Sequence, residues 1–534
     1  MRPARKTVLL IFAVLLFLFF RGTGDHGLLD PVEGINASVA LNMAGRRDFF
    51  TPLAEDLPYL GRSMGFWWLS ASALLLFGWT EAALRFWSAL GGVGMAAAGW
   101  FVARRTADGR TANYAAVLTG TSLLTYAASQ LAAPYTLYAF CVTGALAGIV
   151  YGFRDRRFFL LLHGASSAAL IVCGPAGLLL PWLCFLLYAH LTAQERFFAR
   201  AFFYWPGLLT TLALGGGYLL LLRYKNPTLL ALMRYLPAGA GFGSFSSTVL
   251  FFVFGFFPWA GLVPETFRRA RPGDWFFILP SERVNTLLLV WTAVFLLFGL
   301  LSKDAFFLAA PLPALAVLCA SCLAEAPGDG GAEILRRTAV WETRFFGVCL
   351  ILGLPWMYFR GAGTLQKTLM SLVPWMVFSL LFLFAWRRHA KTGRIGKLML
   401  QLSFLAFLSL MPLAGVFDLL AGSLSLRESG LYLREELKLN RDARIVQYGA
   451  NHPSLFFYTA KPSLPVRASP TPGVSGQKIL DDDALDAIWG GPQRVFMIVE
   501  RNQEILRPLK KAPFSVHEES GRIVLSNRGA SGVK

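Results

Sequence analysis

Long apolar runs follow one another along most of the chain, and short polar connections separate them. The first run covers residues 7–20 and follows Arg2, Arg5 and Lys6. Arg21 stands where a small-residue cleavage site would be expected, so we interpret this run as an uncleaved signal anchor with a cytoplasmic N-terminus. The later runs are centred near 64–78, 81–103, 112–131, 134–152, 158–172, 174–192, 201–222, 247–264, 285–301, 304–323, 341–359, 366–386 and 397–420. Runs of this length predict a polytopic α-helical membrane protein.

Basic residues gather in short clusters, and two apolar runs separate each cluster from the next. The clusters are Arg104/Arg105/Arg110, Arg154/Arg156/Arg157, Arg196/Arg200, Arg268/Arg269/Arg271, Arg336/Arg337 and the run from Arg387 to Lys397. This spacing places all of them on one side of the membrane, which the positive-inside rule identifies as the cytoplasm.

The run at 64–78 does not fit this alternation as a membrane span. Three runs precede Arg104, and three spans would place that residue outside. The run 64–78 is shorter than the roughly 20 residues needed to cross a bilayer, and it contains Phe66, Trp67 and Trp68. We therefore predict an interfacial helix here, about thirteen spans in total, and a C-terminus outside the cytoplasm.

Composition and charge exclude two broad classes of protein. The chain has 534 residues, of which 55% are hydrophobic and 15% charged, and a mean hydropathy of +0.52, which excludes an ordinary soluble globule. The net charge of +19 does not indicate nucleic-acid binding, because the basic residues lie between apolar runs and form no basic face. All six cysteines lie in or beside apolar segments, so no disulfide framework is expected, and Cys319 and Cys322 are interpreted as small packing residues.

Polar residues gather in the first loop (residues 21–80), which follows the first apolar run. On the predicted topology this loop lies on the outer face together with four other connections, and we expect all five to converge on one cavity. The other four are the turns Ala132–Pro134, Cys173–Pro175 and Ser302–Asp304 and the loop 223–246. The GAGFGS sequence at 239–244 lacks the strand and helix that flank a phosphate-binding loop, so we interpret it as part of a lid.

The composition changes after Leu420, which divides the chain into a membrane domain (1–420) and a small extracytoplasmic α/β domain (421–534). Strand-like segments at 444–449, 494–500 and 521–527 alternate with helix-like segments at 454–460, 484–490 and 502–511. Asp481–Asp483 could bind a cation, but three acids before ALDAIWG are more typical of a helix N-terminus.

Several segments, in the order in which they follow along the chain, resemble those of membrane glycosyltransferases related to protein O-mannosyltransferases and to the lipid A aminoarabinose transferase. The first loop and the start of the next helix carry DPVEGINASVALNM, RRDFFTPLAEDLPYLGRSMGFWW and LFGWTEAALRFWSAL. Further matches are FGFFPWAGLVPETF at 254–267, LLSKDAFFLAAPLPALAVL at 300–318, HPSLFFYTAKP at 452–462 and GRIVLSN in the tail. The resemblance covers nearly the whole chain and implies a GT-C fold.

The resemblance also implies an activity. It implies an inverting glycosyltransferase that moves a sugar from a dolichyl- or undecaprenyl-phosphate donor to a hydroxyl or phosphate of a lipid, glycan or protein acceptor. The reaction would take place at the periplasmic face of a bacterial inner membrane. We expect no organic cofactor, and a requirement for a divalent cation is left open.

The chain departs from the family pattern at several motif positions. Aligned on Pro31 and Met43, the family's Asp-Glu pair falls on Val32 and Glu33, so the aspartate usually regarded as catalytic is missing. The family's Glu-Lys-Pro becomes Gly61-Arg62-Ser63, an outer-turn aspartate is replaced at 134–135, and Lys-Gly-Pro becomes Cys173-Gly174-Pro175.

Glycosyl transfer from such a donor needs a carboxylate near the attacking hydroxyl and cations on the departing phosphate. We assign the first role to Glu33 or Asp30. The second role is assigned to Arg62, Arg85 and Lys303.

Each assignment has a structural alternative. Asp30 before Pro31 is typical of an N-cap, with Glu33 at the capping-box position. Arg85 could anchor a helix at the interface, and Lys303 could pair with Asp304. Two other functions also remain open: a degenerate relative that binds lipid-linked sugar without transferring it, and a transporter, although no internal repeat or mid-bilayer charge favours transport.

Overall fold

The computed structural model describes most of the chain. The described residues are 5–61, 63–232, 254–270, 283–302, 305–324, 329–360, 365–390, 395–471, 473–500, 509, 511–519 and 521–529.

Helices dominate the chain as far as Leu424. They are α1 (Arg5–Phe20), α2 (Val32–Arg46), α3 (Gly65–Phe77), α4 (Glu81–Thr106), α5 (Gly109–Gly120), α6 (Leu123–Ser129), α7 (Tyr135–Gly152), α8 (Phe159–Cys173), α9 (Pro175–Leu191), α10 (Glu195–Phe202), α11 (Trp205–Thr211), α12 (Gly217–Lys225), α13 (Pro227–Leu232), α14 (Val263–Ala270), α15 (Arg283–Leu301), α16 (Leu312–Ala324), α17 (Asp329–Arg360), α18 (Leu365–Ala390), α19 (Ile395–Leu410) and α20 (Leu413–Leu424). A π-helical segment, Leu212–Gly216, joins α11 to α12. Short 3₁₀ turns cover Arg156–Phe158, Ala260–Leu262 and Ala305–Ala309.

Seven helical stretches of the described residues are long and apolar enough to cross a membrane, judged by length and composition. They are Glu81–Thr106, Tyr135–Gly152, Arg156–Cys173, Trp205–Lys225, Val284–Leu301, Phe307–Ala324 and Gly396–Gly422. The apolar run predicted over 112–131 is broken, because α5 ends at Gly120 and α6 has 7 residues. A polytopic membrane protein is therefore confirmed, while the count of thirteen spans stays a prediction.

Local sequence explains the limits of α4, the longest of the helices beside the first loop. The Thr80 hydroxyl accepts a hydrogen bond from the backbone N–H of Ala83 and so caps the N-terminus, where Glu81 also faces the positive end of the helix dipole. Arg104 and Arg105 occupy the last turn, where cations are favoured.

Helix α3 forms where the sequence predicts an interfacial helix, but Phe66 and Trp67 near its N-terminus do not face outward. Phe66 and Trp67 are buried, and Trp67 Nε1 donates a hydrogen bond to Asn36 Oδ1 at 2.9 Å. The exposed apolar side chains lie at the opposite end, at Leu75, Leu76 and Phe77. Helix α3 therefore packs its N-terminal half against α2, and Asn36 of α2 supplies the hydrogen-bond acceptor for the buried Trp67 indole.

The region after Leu424 contains a five-stranded mixed sheet, called here the C-terminal sheet. Its strands are β3 (Arg444–Tyr448), β4 (Ser463–Val466), β5 (Val495–Glu500), β6 (Phe514–Glu519) and β7 (Arg522–Ser526), in the spatial order β4-β3-β5-β7-β6. Strand β3 pairs in parallel with β4 and β5, whereas β7 pairs antiparallel with β5 and β6. Helices α21 (Arg427–Leu439), α22 (Ser454–Thr459) and α23 (Asp482–Gly490) accompany the sheet.

Most of the predicted elements of this region are present. The strands predicted at 444–449, 494–500 and 521–527 and the helices predicted at 454–460 and 484–490 are confirmed, whereas α21, β4 and β6 were not predicted. Asp481 caps α23 by accepting a hydrogen bond from Ala484 N at 2.9 Å, as expected for a helix N-terminus. The helix predicted over 502–511 falls almost wholly outside the described residues.

Helix α2 contacts both the membrane helix bundle, through α3, and α22, a helix that accompanies the C-terminal sheet. It is buried continuously from Glu33 to Ala44 and packs against α3, α22 and a short hairpin. The hairpin consists of β1 (Leu53–Ala54) and β2 (Leu57–Pro58) and turns at Glu55 and Asp56. The first loop is thus folded between two larger parts of the molecule.

Candidate functional site

An ion pair joins Glu33, in the N-terminal part of the first loop on α2, to Arg85 of α4. Both side chains are fully buried. Arg85 Nε donates to Glu33 Oε1 at 2.9 Å, and Arg85 Nη2 donates to Glu33 Oε2 at 2.8 Å, which is the bidentate arrangement that guanidinium and carboxylate groups favour. Burial alone would raise the pKa of Glu33, but the charge and hydrogen bonds of Arg85 hold that pKa below its usual value.

The remaining hydrogen-bonding positions of this pair are also filled. Arg85 Nη1 donates to the carbonyls of Thr23 and His26, and Nη2 donates to Gly27 O, so all five N–H groups have partners. Glu33 also accepts hydrogen bonds from Leu29 N at 2.8 Å and from Ala132 N at 2.6 Å. The pair therefore ties α2, α4, the start of the first loop and the turn at 132–134 together. The roles predicted for Glu33 as base and Arg85 as phosphate ligand stay predictions, and they would require these contacts to open.

Asp30 joins the first loop to the C-terminal sheet. Its Oδ1 accepts a hydrogen bond from Ser454 N at 2.9 Å, its Oδ2 accepts one from the Ser454 hydroxyl, and His452 Nδ1 lies 3.4 Å from Oδ2. The structural alternative in which Asp30 caps α2 is wrong, because Pro31 holds the N-cap position of that helix without a side-chain cap. Asp30 instead satisfies the N-terminus of α22, which tertiary folding brings against it.

Gly34 permits this close approach between α2 and α22. A Cβ atom at position 34 would lie 1.9 Å from Asp30 Oδ1 and 2.4 Å from the Ser454 backbone nitrogen. These distances are far below van der Waals contact. A glycine is therefore required at this point for Asp30 to reach Ser454.

Glu55 occupies the turn of the β1–β2 hairpin and has a different environment from Glu33. It is half-buried and adopts the left-handed region with φ 55°. Its backbone N–H donates to Ser38 Oγ at 2.6 Å, and Asn42 donates to its carbonyl. Its carboxylate accepts hydrogen bonds from Ser463 N and Ser463 Oγ, both at 3.2 Å.

The surroundings of Glu55 favour its protonated form. Burial raises the pKa of Glu55 to about 7, and the neighbouring carboxylates of Asp56 and Asp30 add to the rise, although the hydrogen bonds from Ser463 act in the opposite direction. A carboxyl group with a pKa near neutral can exchange a proton under ordinary conditions.

Residues in or beside three of the connections predicted to converge with the first loop contact it. Ala132 donates to Glu33 as described above, and Ser63 Oγ donates to Ile171 O at 2.7 Å beside the turn Cys173–Pro175. Ser63 Oγ also lies 2.6 Å from the Tyr218 hydroxyl, and Lys225 Nζ lies 5.9 Å from the ring centroid of Phe50. These contacts bring the three regions against the first loop, while their convergence on one cavity stays a prediction.

Several predicted residues cannot be placed. Arg62, Lys303, Asp304 and the sequence at 239–244 lie outside the described residues. Within the described part of the chain, no group of three or more His, Cys, Asp and Glu side chains could hold a metal ion.

Sequence reasoning did not identify Glu55, Ser454, His452 or Ser463 as parts of this site. A weak signal was present for two of them, since His452 and Ser454 lie in the HPSLFFYTAKP segment that resembles the family. Within α2, Asn36, Ser38 and Asn42 are polar residues among Ala, Val and Leu, and each accepts or donates a hydrogen bond to the loop around it.

No protein-family model matches the chain. An uncharacterised protein of Aquifex aeolicus (strain VF5) is 30% identical over 218 residues, and this match spans 40% of the present chain and 43% of that relative, which is less than half of its length.

The similarity to solved structures extends over the whole chain. The crystal structure of ArnT from Cupriavidus metallidurans bound to undecaprenyl phosphate superimposes with a TM-score of 0.78, at 19% sequence identity and with 99% of each chain covered. The apo state of the same protein gives a TM-score of 0.76 at 20% identity, with 98% of each chain covered. The chain therefore has the GT-C fold of ArnT, as the resemblance implied.

Proposed function

Because the chain has the GT-C fold, we propose that it is a glycosyltransferase that moves a sugar from a polyprenyl-phosphate donor to an acceptor hydroxyl or phosphate of a lipid, glycan or protein. The full-length similarity to ArnT carries this proposal, since that protein was crystallised with undecaprenyl phosphate. We further propose that the reaction takes place at the periplasmic face of the inner membrane, with inversion at the anomeric carbon.

The proposed reaction is a single displacement. The acceptor oxygen attacks the anomeric carbon of the sugar and forms the new glycosidic bond while the bond between that carbon and the phosphate oxygen breaks. The phosphate leaves with the electron pair, and a carboxylate takes the proton of the acceptor hydroxyl. Cations stabilise the negative charge on the departing phosphate, and Arg62 and Lys303 stay the proposed ligands.

Three carboxylates of the first loop are candidates for the proton acceptor. Glu33 has all its positions filled by protein groups, and Asp30 is buried against Ser454 and His452. Glu55 is partly exposed and is held by hydrogen bonds of 3.2 Å, and its pKa of about 7 suits proton transfer near neutral pH. We therefore assign the proton acceptor to Glu55, with Asp30 and Glu33 as the alternatives that the sequence favours.

The Glu33–Arg85 pair then acts as a positioning element. It joins the N-terminal end of α2 to α4 and to the turn at Ala132, so it fixes the position of α2 and of the loop residues that contact it. Its contribution to activity would be indirect, through the geometry of the loop.

A second candidate is a relative that binds lipid-linked sugar without transferring it. Two observations favour it: Val32 stands in place of the family's aspartate, and the adjacent Glu33 is locked by Arg85. Such a protein would retain the fold and the donor site while lacking a proton acceptor.

A turnover assay tests the proposal and separates the two candidates. The full chain, reconstituted in liposomes, would be supplied with a panel of labelled polyprenyl-phosphate sugars and with membrane lipid extract as acceptor. Transfer of label together with release of polyprenyl phosphate is the expected result. Donor binding without any transfer would favour the second candidate, and absence of donor binding across the panel would contradict both.

A further inference from the structure

A small pocket lies where α21 meets the turn between α3 and α4, apart from the Glu33–Arg85 pair. Its volume is about 130 Å³. The wall on α21 consists of Arg427, Leu431 and Arg434, which occupy one face of the helix at spacings of four and three residues. Trp79 and Glu81 form the opposite wall, and residues 457–460 complete the lining.

The two arginines of the pocket are not equivalent. Arg427 Nε lies 3.2 Å from Glu81 Oε1, and Arg427 Nη1 donates to Asp25 O at 2.9 Å, so this side chain is partly committed to the protein. Arg434 is exposed, and within the described part of the chain no ion pair or hydrogen bond is formed by its guanidinium group. The pocket therefore presents one uncompensated positive charge with a planar set of N–H donors, which suits a phosphate group.

An apolar edge leads directly into this pocket. Leu75, Leu76, Phe77 and Trp79 are between 51% and 73% exposed, and they lie on the last turn of α3 and the turn that follows. The stretch Glu81–Thr106, which is long and apolar enough to cross a membrane, begins two residues after Trp79. Tryptophan at the end of a membrane helix is typical of the level of the lipid headgroups.

From this geometry we propose that the pocket binds the phosphate of an anionic lipid headgroup, with Arg434 as the principal ligand and the lipid chain lying along Leu75–Phe77. The pocket volume is smaller than that of a drug-sized ligand site, so it suits a phosphate and its immediate neighbours. The same chemistry would serve a membrane phospholipid or a phosphorylated lipid acceptor. The inference does not depend on the proposed transfer reaction, because it concerns binding and is measured without turnover.

Lipid binding to the purified full chain tests this proposal. The protein would be placed in phosphatidylcholine nanodiscs containing a small fraction of phosphatidylglycerol, and the phosphatidylglycerol retained on extraction would be measured by native mass spectrometry. Arg434→Ala is expected to weaken retention at least tenfold, because a charge-assisted contact is lost. Retention by Arg434→Lys should fall between that of the wild type and that of Arg434→Ala, since lysine keeps the positive charge but lacks the planar set of guanidinium N–H donors. Trp79→Ala should also weaken retention.

Lys438→Ala is the control for surface charge, because Lys438 is an exposed cation one turn further along α21, is paired with Glu435 and does not line the pocket. Equal losses in Arg434→Ala and Lys438→Ala would indicate general surface charge and overturn the proposal. Retention that does not differ between phosphatidylglycerol and phosphatidylcholine would also overturn it. Displacement of phosphatidylglycerol by millimolar inorganic phosphate would show that the site recognises the phosphate group alone. A labelled phosphorylated acceptor that displaces phosphatidylglycerol would identify the acceptor as the occupant.

Discussion

Two regions of the first loop, the start of α2 and the β1–β2 hairpin, use the same chemical group in opposite ways. At the N-terminal end, Glu33 is fully buried, paired with Arg85 and bound by two backbone N–H groups, and the pKa of Glu33 is held below its usual value. At the hairpin, Glu55 is half-buried, lacks a cationic partner among the residues described, and its pKa is raised to about 7. The Glu33 carboxylate is therefore fixed in its charged form, whereas the Glu55 carboxyl group is close to its titration point near neutral pH.

This difference indicates a division of roles within the loop. A buried carboxylate whose lone pairs are all filled stabilises one geometry and cannot easily accept a proton. A carboxylate with longer hydrogen bonds and a neutral-range pKa can take up and release a proton. The comparison predicts that variants of the Glu33–Arg85 pair change stability and that variants of Glu55 change the rate of the chemical step.

Breaking the ion pair should give the largest effect. Arg85→Ala leaves the Glu33 carboxylate buried without its counter-charge, and we expect a loss of about 3–5 kcal/mol in unfolding free energy, or failure to accumulate in the membrane. Thermal unfolding in detergent would measure it. The double variant Glu33→Leu with Arg85→Met should recover much of the stability, because an apolar pair removes both charges. Wild-type stability of Arg85→Ala combined with weak donor binding would instead support the phosphate role predicted from the sequence.

Neutralising Glu55 should separate chemistry from stability. Glu55→Gln keeps the shape of the side chain but removes its capacity to accept a proton, so we expect turnover to fall about a hundredfold in the glycosyltransfer assay while the protein remains folded. Asp56→Asn changes the neighbouring acid, which is exposed and paired with Arg46, and should have a small effect. If Glu55→Gln were active while Glu33→Gln, folded, were inactive, the proton acceptor would be Glu33 as the sequence analysis proposed.

Adding one methyl group to α2 should test the contact with α22. Gly34→Ala places a Cβ atom 1.9 Å from Asp30 Oδ1, so we expect a loss of about 1–3 kcal/mol in stability as the two helices separate. Gly45→Ala in the same helix is the control, because nothing lies within 4 Å of a Cβ atom at that position. Denaturation of the two variants side by side would measure the difference, and equal stability would contradict the close approach.

The pH dependence of stability should show the smallest and most specific effect. The pKa of Glu55 is about 7 in the folded protein against 4.5 normally, so the native state holds an extra proton between these values and stability falls as the pH rises through that window. Glu55→Gln lacks this titration, so its unfolding temperature relative to wild type should rise from pH 5 to pH 8. Burial and the charge of Arg85 lower the pKa of His26 to about 4, which acts in the opposite direction, but it affects both proteins equally. A constant difference would show that Glu55 titrates normally.

The sequence by itself determined the class of the molecule and much of its local structure. The apolar runs predicted the membrane helices because a bilayer requires long uninterrupted apolar segments, and the motif order implied the GT-C fold. The alternation of residues predicted β3, β5 and β7, and three consecutive acids predicted the N-terminus of α23. These features depend on residues that are neighbours in the chain.

The tertiary structure alone decided the environments of the charged residues. From the sequence, Arg85 could be a helix anchor or a phosphate ligand. Only the fold shows that it pairs with Glu33 and donates hydrogen bonds to three backbone carbonyls. The sequence around Asp30 is typical of an N-cap of α2, but in the structure Asp30 accepts the hydrogen bond at the N-terminus of α22, 424 residues further along the chain. The pKa of a carboxyl group depends on burial and on charges within a few ångströms, and those distances are set by contacts between remote segments. For this reason the sequence identified Asp30 and Glu33 as candidate acids but did not identify Glu55 and could not assign the roles of the three.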